Sequence, residues 1–254
     1  MKLYFILILN TFSFFFASNT LAANCYQDMN VFISNVYGEQ IDLDMMDLNM
    51  QFYKDFVSSK TDEQIIDLNY AMIDEMDKIP YSSLKETTKE DIQAILDSVR
   101  SKEFIQKSCG RVNEYDPNNQ VGFCFGRAMA THLEALKNRI DKQSILKLWL
   151  VGEFENAHWN HHVAVILRAN DRKWYVLDPL FSRIFTTSEY VSHFNRQYGY
   201  RLAMVPTNPK RFLSAKSKLE KSYARYNKKN LSYDFSSMEI FWKEFFADLL
   251  KEMR

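Results

Sequence analysis

The sequence predicts an α+β fold, and three observations predict it. Apolar residues recur at three- and four-residue spacing from about Leu43 to Lys107, the period of helices. The stretch Asp116-Pro117-Asn118-Asn119 is a strong turn signal that separates this region from the second half of the chain. Beyond it, one more helical stripe leads into three short runs rich in Val, Trp and Tyr, the composition of paired strands. At 254 residues, 46% hydrophobic and 25% charged, the chain is built like an ordinary globular protein. It is large enough for one domain with an appendage or for two small domains.

The first element is an N-terminal leader. Lys2, the apolar run Leu3 to Ala17 and Thr20-Leu21-Ala22-Ala23 are the three sections of a secretory signal peptide, so residues 1–23 are expected to be removed. Asn10, Thr11 and Ser13 interrupt the run and no second apolar span succeeds it, which disfavours stable membrane insertion. Cys25 is preceded by Asn24 rather than a small residue, so a lipoprotein is set aside. The mature chain is expected to be secreted or periplasmic. Residues 24–115 read as an N-terminal helical region, a pro-segment or cap on one reading and an integral subdomain on the other. Ile65, Leu68, Met72 and Met76 form one stripe, Ile92, Ile95 and Val99 another, and Pro80 separates them.

Residues 116–205 read as the site-bearing core. Phe125, Met129, Leu133, Leu136 and Ile140 share a helical stripe, and Ile145 to Val151, His162 to Leu167 and Lys173 to Asp178 read as strands. Phe185 to Gln197 is mixed. Residues 206–254 read as a helical extension, with Lys210 to Tyr226 one helix and Ser237 to Met253 a second, capped by Ser236 or Ser237. The 32 basic residues cancel the 32 acidic ones, and no nucleic-acid partner is expected. The local run Lys210 to Lys229, eight Lys or Arg against Glu220, reads as a solvated helix face.

Three cysteines in an exported chain leave one over. Cys25 and Cys109 could pair, leaving Cys124 free. A hairpin centred near Asn170 sets His162 opposite Asp178, Ala164 opposite Val176 and Ile166 opposite Trp174, with Cβ atoms about 4.5–5.5 Å apart. Cys124 precedes its helical stripe, so its sulfur falls near a helix N-terminus, where N–H groups and the dipole favour a thiolate. Thiol, imidazole and carboxylate in this relation are the parts of a cysteine acyl-transfer site. Backbone N–H groups at the helix start, or side chains of Asn119, Gln120 or Trp159, are candidates for holding an oxyanion or positioning substrate. Each part also has a plain structural reading. Cys124 alone is a small core residue, His162 a satisfied core or surface imidazole, Asp178-Pro179 a strand end, and Arg127 a helix-surface charge. His158, His161 and His162 beside Cys124 suggest zinc, but His-x-x-His-His entering a strand alternates in direction, so no metal is expected.

The segments Cys124 with Arg127-Ala128, Trp159 with His162-Val163-Ala164, and Asp178-Pro179-Leu180-Phe181 resemble the bacterial protein-glutaminase family. Those secreted enzymes deamidate glutamine side chains within proteins. The resemblance covers about Gly122 to Phe181. It implies Cys124, His162 and Asp178 as the catalytic triad and a core similar to papain-like peptidases and transglutaminases, with a Cys-bearing helix packed on an antiparallel sheet. It also implies no metal or organic cofactor, and protein substrates with exposed glutamine met by a monomer. The chain departs from the pattern in three ways: a residue is missing between Pro179 and Leu180, His161 stands where an aromatic residue is expected, and three cysteines cannot form multiple disulfides. A transglutaminase-like acyltransferase and a cysteine peptidase share the chemistry. An inactive binding or effector protein is the alternative of another class.

Overall fold

In the computed structural model five strands form one antiparallel sheet in the order β4-β3-β2-β1-β5. The strands are β1 (Ile145–Gly152), β2 (His161–Arg168), β3 (Trp174–Leu177), β4 (Phe185–Thr186) and β5 (Leu202–Thr207). The helices are α1 (Asp62–Lys78), α2 (Lys89–Arg100), α3 (Glu103–Cys109), α4 (Cys124–Lys137), α5 (Thr187–Tyr198) and α6 (Ile240–Met253). The fold is thus α+β. The structure describes residues 57–78, 87–109, 114–115, 123–154, 161–199, 201–207, 209 and 240–253. The expected signal peptide, Cys25, Pro80, the expected turn from Asp116 with Asn119 and Gln120, His158, Trp159, the basic run Lys210 to Lys229 and the expected caps Ser236 and Ser237 lie outside the described residues.

Helices cover both faces of the sheet. Adjacent residues on a strand point to opposite sides, and Trp174 and Tyr175 show what each side meets. Trp174 Nε1 donates to the Met76 carbonyl of α1, while Lys89 of α2 lies over the Tyr175 ring. Every residue of β1, and every residue of β2 after His161, is buried. Burial on both sides, mostly of apolar residues with Lys147, His162 and Arg168 among them, is what a two-sided core gives. Met72 and Met76 of α1 and Ile92, Ile95 and Val99 of α2 lie in the same buried cluster as Val165, Ile166 and Leu167 of β2.

The strand pairing corrects the expected hairpin. Val165 pairs with Leu177, Ile166 with Val176, Leu167 with Tyr175 and Arg168 with Trp174. Asp178 therefore lies beyond the last pair, and the ladder extrapolates it opposite Ala164 rather than His162. The cause is local. The turn centres on Asp171, whose Oδ1 accepts from the Lys173 N–H, and Arg172 takes a left-handed φ of 69°. The Asn170 N–H instead leaves the hairpin for the Thr87 carbonyl. A two-residue shift keeps every side chain on its face, so His162 and Asp178 meet as diagonal neighbours.

Two further elements differ from expectation. The mixed stretch is β4 and then α5, which begins at a capping box: the Thr186 side chain accepts from the Glu189 N–H and Glu189 returns to the Thr186 N–H. The second is β5, which no sequence signal singled out. Its outer edge is closed by Asn69 of α1, which donates to the Leu202 carbonyl and accepts from the Met204 N–H, both at 2.8 Å. Pro206 has the parity of Met204, so its missing N–H falls on that outer edge rather than toward β1, where a proline is tolerated.

Candidate active site

Cys124 is the first residue of α4, and its N-cap, Phe123, places no side-chain acceptor on the first-turn N–H groups. The start of β2 meets this helix end. The His162 imidazole and the Val163 N–H both draw the Cys124 thiol downward. His162 Nε2 donates to Asp178 Oδ2 at 2.7 Å, which leaves Nδ1 for the sulfur. Cys124, His162 and Asp178 are buried at 6%, 1% and 2% exposure, so the three groups interact with little solvent screening.

Asp178 is held from three sides. The Tyr190 hydroxyl donates to Oδ2 at 2.6 Å and the Leu180 N–H to Oδ1 at 3.1 Å, beside the His162 bond. The turn after β3 positions it, with the Phe181 N–H donating to the Asp178 carbonyl at 2.9 Å. Phe194 of α5 stacks on the His162 ring at 5.1 Å and 23°, which fixes the ring plane. Tyr190 and Phe194 are one helical turn apart, so a single face of α5 orders both the His162 ring and the Asp178 carboxylate. Neither residue was singled out from sequence. The capping box at Thr186 and Glu189 is the signal that starts this helix and so places both.

The charges reinforce one another. Burial pushes the Cys124 thiol up, but the His162 bond and charge, the Arg127 guanidinium and the Val163 N–H bring it below the ordinary thiol range. Burial alone would lower His162, whereas Asp178 and Cys124 raise it to about 9. Burial raises Asp178, and His162, Arg127 and the Tyr190 hydroxyl outweigh it and hold the carboxyl low. Thiolate, imidazolium and carboxylate are the forms that these couplings favour.

Arg127 is a correction. It was expected on the helix surface and is buried at 7% exposure, because α4 is enclosed by the sheet, by α2 and by α6 rather than on one stripe. Its Nη1 donates to the Ser108 carbonyl at 2.9 Å. His161 packs its ring on Trp149 at 5.6 Å, and burial together with the charge of His162 pushes it down to about 4, so it is neutral. Among the described residues Cys109 has no disulfide partner, and its thiol is raised chiefly by burial; its expected partner Cys25 lies outside them. Among the described residues no group of three or more His, Cys, Asp or Glu side chains is arranged to hold a metal ion. No helix among them is long and apolar enough to cross a membrane. Comparison with family models, with curated proteins and with solved structures found no match to this chain.

Proposed function

We propose that this chain is an exported cysteine amidohydrolase that deamidates glutamine side chains in proteins, on a core of papain and transglutaminase type. The observation that carries the chemistry is the His162–Asp178 bond at 2.7 Å in a buried site whose imidazole draws the Cys124 thiol at the start of α4 downward. A thiol and an imidazole that only filled a core would have no need of a carboxylate held by three donors. The substrate class draws support from access. With 6% of Cys124 exposed, the slim carboxamide at the end of a glutamine side chain reaches the sulfur more readily than a flanked main-chain amide does.

The geometry sets the order of steps. Cys124 thiolate adds to the carboxamide carbon while N–H groups at the α4 start face the developing oxyanion. His162 gives its Nδ1 proton to the nitrogen as the C–N bond breaks, ammonia leaves, and a thioester remains. Water gives a proton back to His162 and adds to the thioester; the C–S bond breaks, leaving glutamate and the thiolate. Asp178 holds the ring and balances its cation throughout.

The test is incubation of the mature protein with an unfolded glutamine-rich protein such as a casein, reading ammonia and intact substrate mass. Ammonia with about one dalton gained per event, lost in Cys124→Ala, is the expected result. Cross-linked mass assigns the chain to transglutaminases, fragments assign it to peptidases, and neither product overturns the enzyme reading for that substrate.

A further inference from the structure

The acyl-transfer steps above leave Arg127 unused, yet burying a guanidinium costs several kcal/mol unless something compensates. Arg127 is on α4 one helical turn beyond Cys124, buried, and without a carboxylate partner among the described residues. Nη1 is tied to the Ser108 carbonyl, and Nε is buried with no hydrogen-bond partner. A guanidinium placed only to tie α3 to α4 would not need its charge. The charges at the site supply the missing reason. Counted together, the Cys124 thiolate, the His162 imidazolium and the Asp178 carboxylate carry one net negative charge, and Arg127 is the cation that brings the buried set to zero.

We infer that Arg127 is a positioning residue for the nucleophile, its guanidinium neutralising the buried site so that Cys124 and His162 rest as an ion pair. This inference rests on the acyl-transfer reading of Cys124. The charged and titratable groups coupled to this set are His162 of β2, with His161 coupled to it; Asp178 beyond β3; Tyr190 of α5; Cys109 of α3, coupled to Arg127 and Asp178; and Arg127 itself. Arg100 of α2 donates from Nε to the Pro179 carbonyl at 3.3 Å. Arg127 acts on the two anions directly, pulling both the Cys124 thiol and the Asp178 carboxyl downward.

The experiment tracks iodoacetamide alkylation of Cys124 by peptide mass over a pH series, in the full protein and in Arg127→Gln and Arg127→Lys. Gln keeps an N–H donor for the Ser108 carbonyl and removes the charge, and Lys keeps the charge. The expected result is a folded Gln variant whose acid limb moves up by about one unit or more. Its rate on that limb then falls about tenfold, its alkaline plateau is unchanged, and Lys stays within about threefold of the parent. A Gln variant with the parent limb overturns the inference alone. So does an equal shift in Gln and Lys, which makes the shape rather than the charge decisive. A Gln variant that does not fold assigns Arg127 to the core and also overturns it. A parent protein whose Cys124 titrates like an ordinary thiol overturns both this inference and the acyl-transfer reading.

Discussion

His162 sets the pH range in which the site can work. Its imidazolium must survive to protonate the leaving nitrogen, and Asp178 and Cys124 raise it to about 9. Activity should therefore fall on the alkaline side through about 9, and on the acid side as the depressed Cys124 thiolate takes a proton. Asp178→Asn removes the carboxylate and should bring the alkaline limb down by at least about one unit; an unmoved limb in a pH–rate profile would separate Asp178 from the mechanism. The same shift has a stability sign. A folded-state value above the ordinary one means that His162 contributes stability below about 6.5, and that this is lost as pH rises through about 9. Tyr190→Phe deletes the 2.6 Å bond to Asp178 and should cost about 1.5–3 kcal/mol in urea unfolding, as for a hydrogen bond to a buried charge. The triad was legible in sequence because it is carried by three short segments with distinct residue types. Arg127 was not, because nothing local distinguishes an enclosed helix from one with a solvent face.

At the scale of elements, the contact between α4 and α6 decides whether Cys124 stays in place. A Cβ on Gly126 would fall 2.5 Å from Phe245 Cε1, inside any real contact. Gly126→Ala should displace the Phe245 ring from its packing on Phe104, Tyr115 and Phe123, costing about 1–3 kcal/mol of stability and lowering Cys124 reactivity with it. Unchanged melting and alkylation would show α6 to be free to move. Asn69→Leu should leave the Leu202 carbonyl and Met204 N–H at the β5 edge without partners, for a loss of about 1–3 kcal/mol, read by calorimetry. The helices α1, α2 and α4 were readable from period alone. The start of α5 was written in the Thr186–Glu189 capping box, a signal that hydrophobic period does not carry. β5 was hidden by its Pro206, which reads as a strand breaker unless its N–H side is known to face outward. The hairpin missed its register by one turn residue: Asp171, not Asn170, sits at the centre, and a choice between two adjacent turn formers is settled by the Thr87 contact from elsewhere in the chain.

For the whole molecule, the helices before the site share its core. Trp174 Nε1 and the Arg168 guanidinium bond the carbonyls of Met76 and Asp77 at the end of α1, and α2 joins α4 through Ser98 and Glu134. Removing residues 57–109 would uncover parts of both faces of the sheet and one side of α4, so the truncated chain is expected to lose cooperative unfolding; a truncated protein that melts cooperatively would instead make this region a separable cap. Helices cover both faces of the sheet, and Cys124, His162, Asp178 and Tyr190 come from α4, β2, the turn after β3 and α5. Acyl transfer at this junction requires that Cys124 itself becomes acylated. Rapid acid quench of the protein with a glutamine-containing peptide, with mass mapping of the cysteine peptides, measures this directly. The predicted product is a thioester on Cys124 with the mass of the peptide less ammonia, absent in His162→Ala. No adduct at Cys124, or an adduct on Cys109 instead, would contradict it.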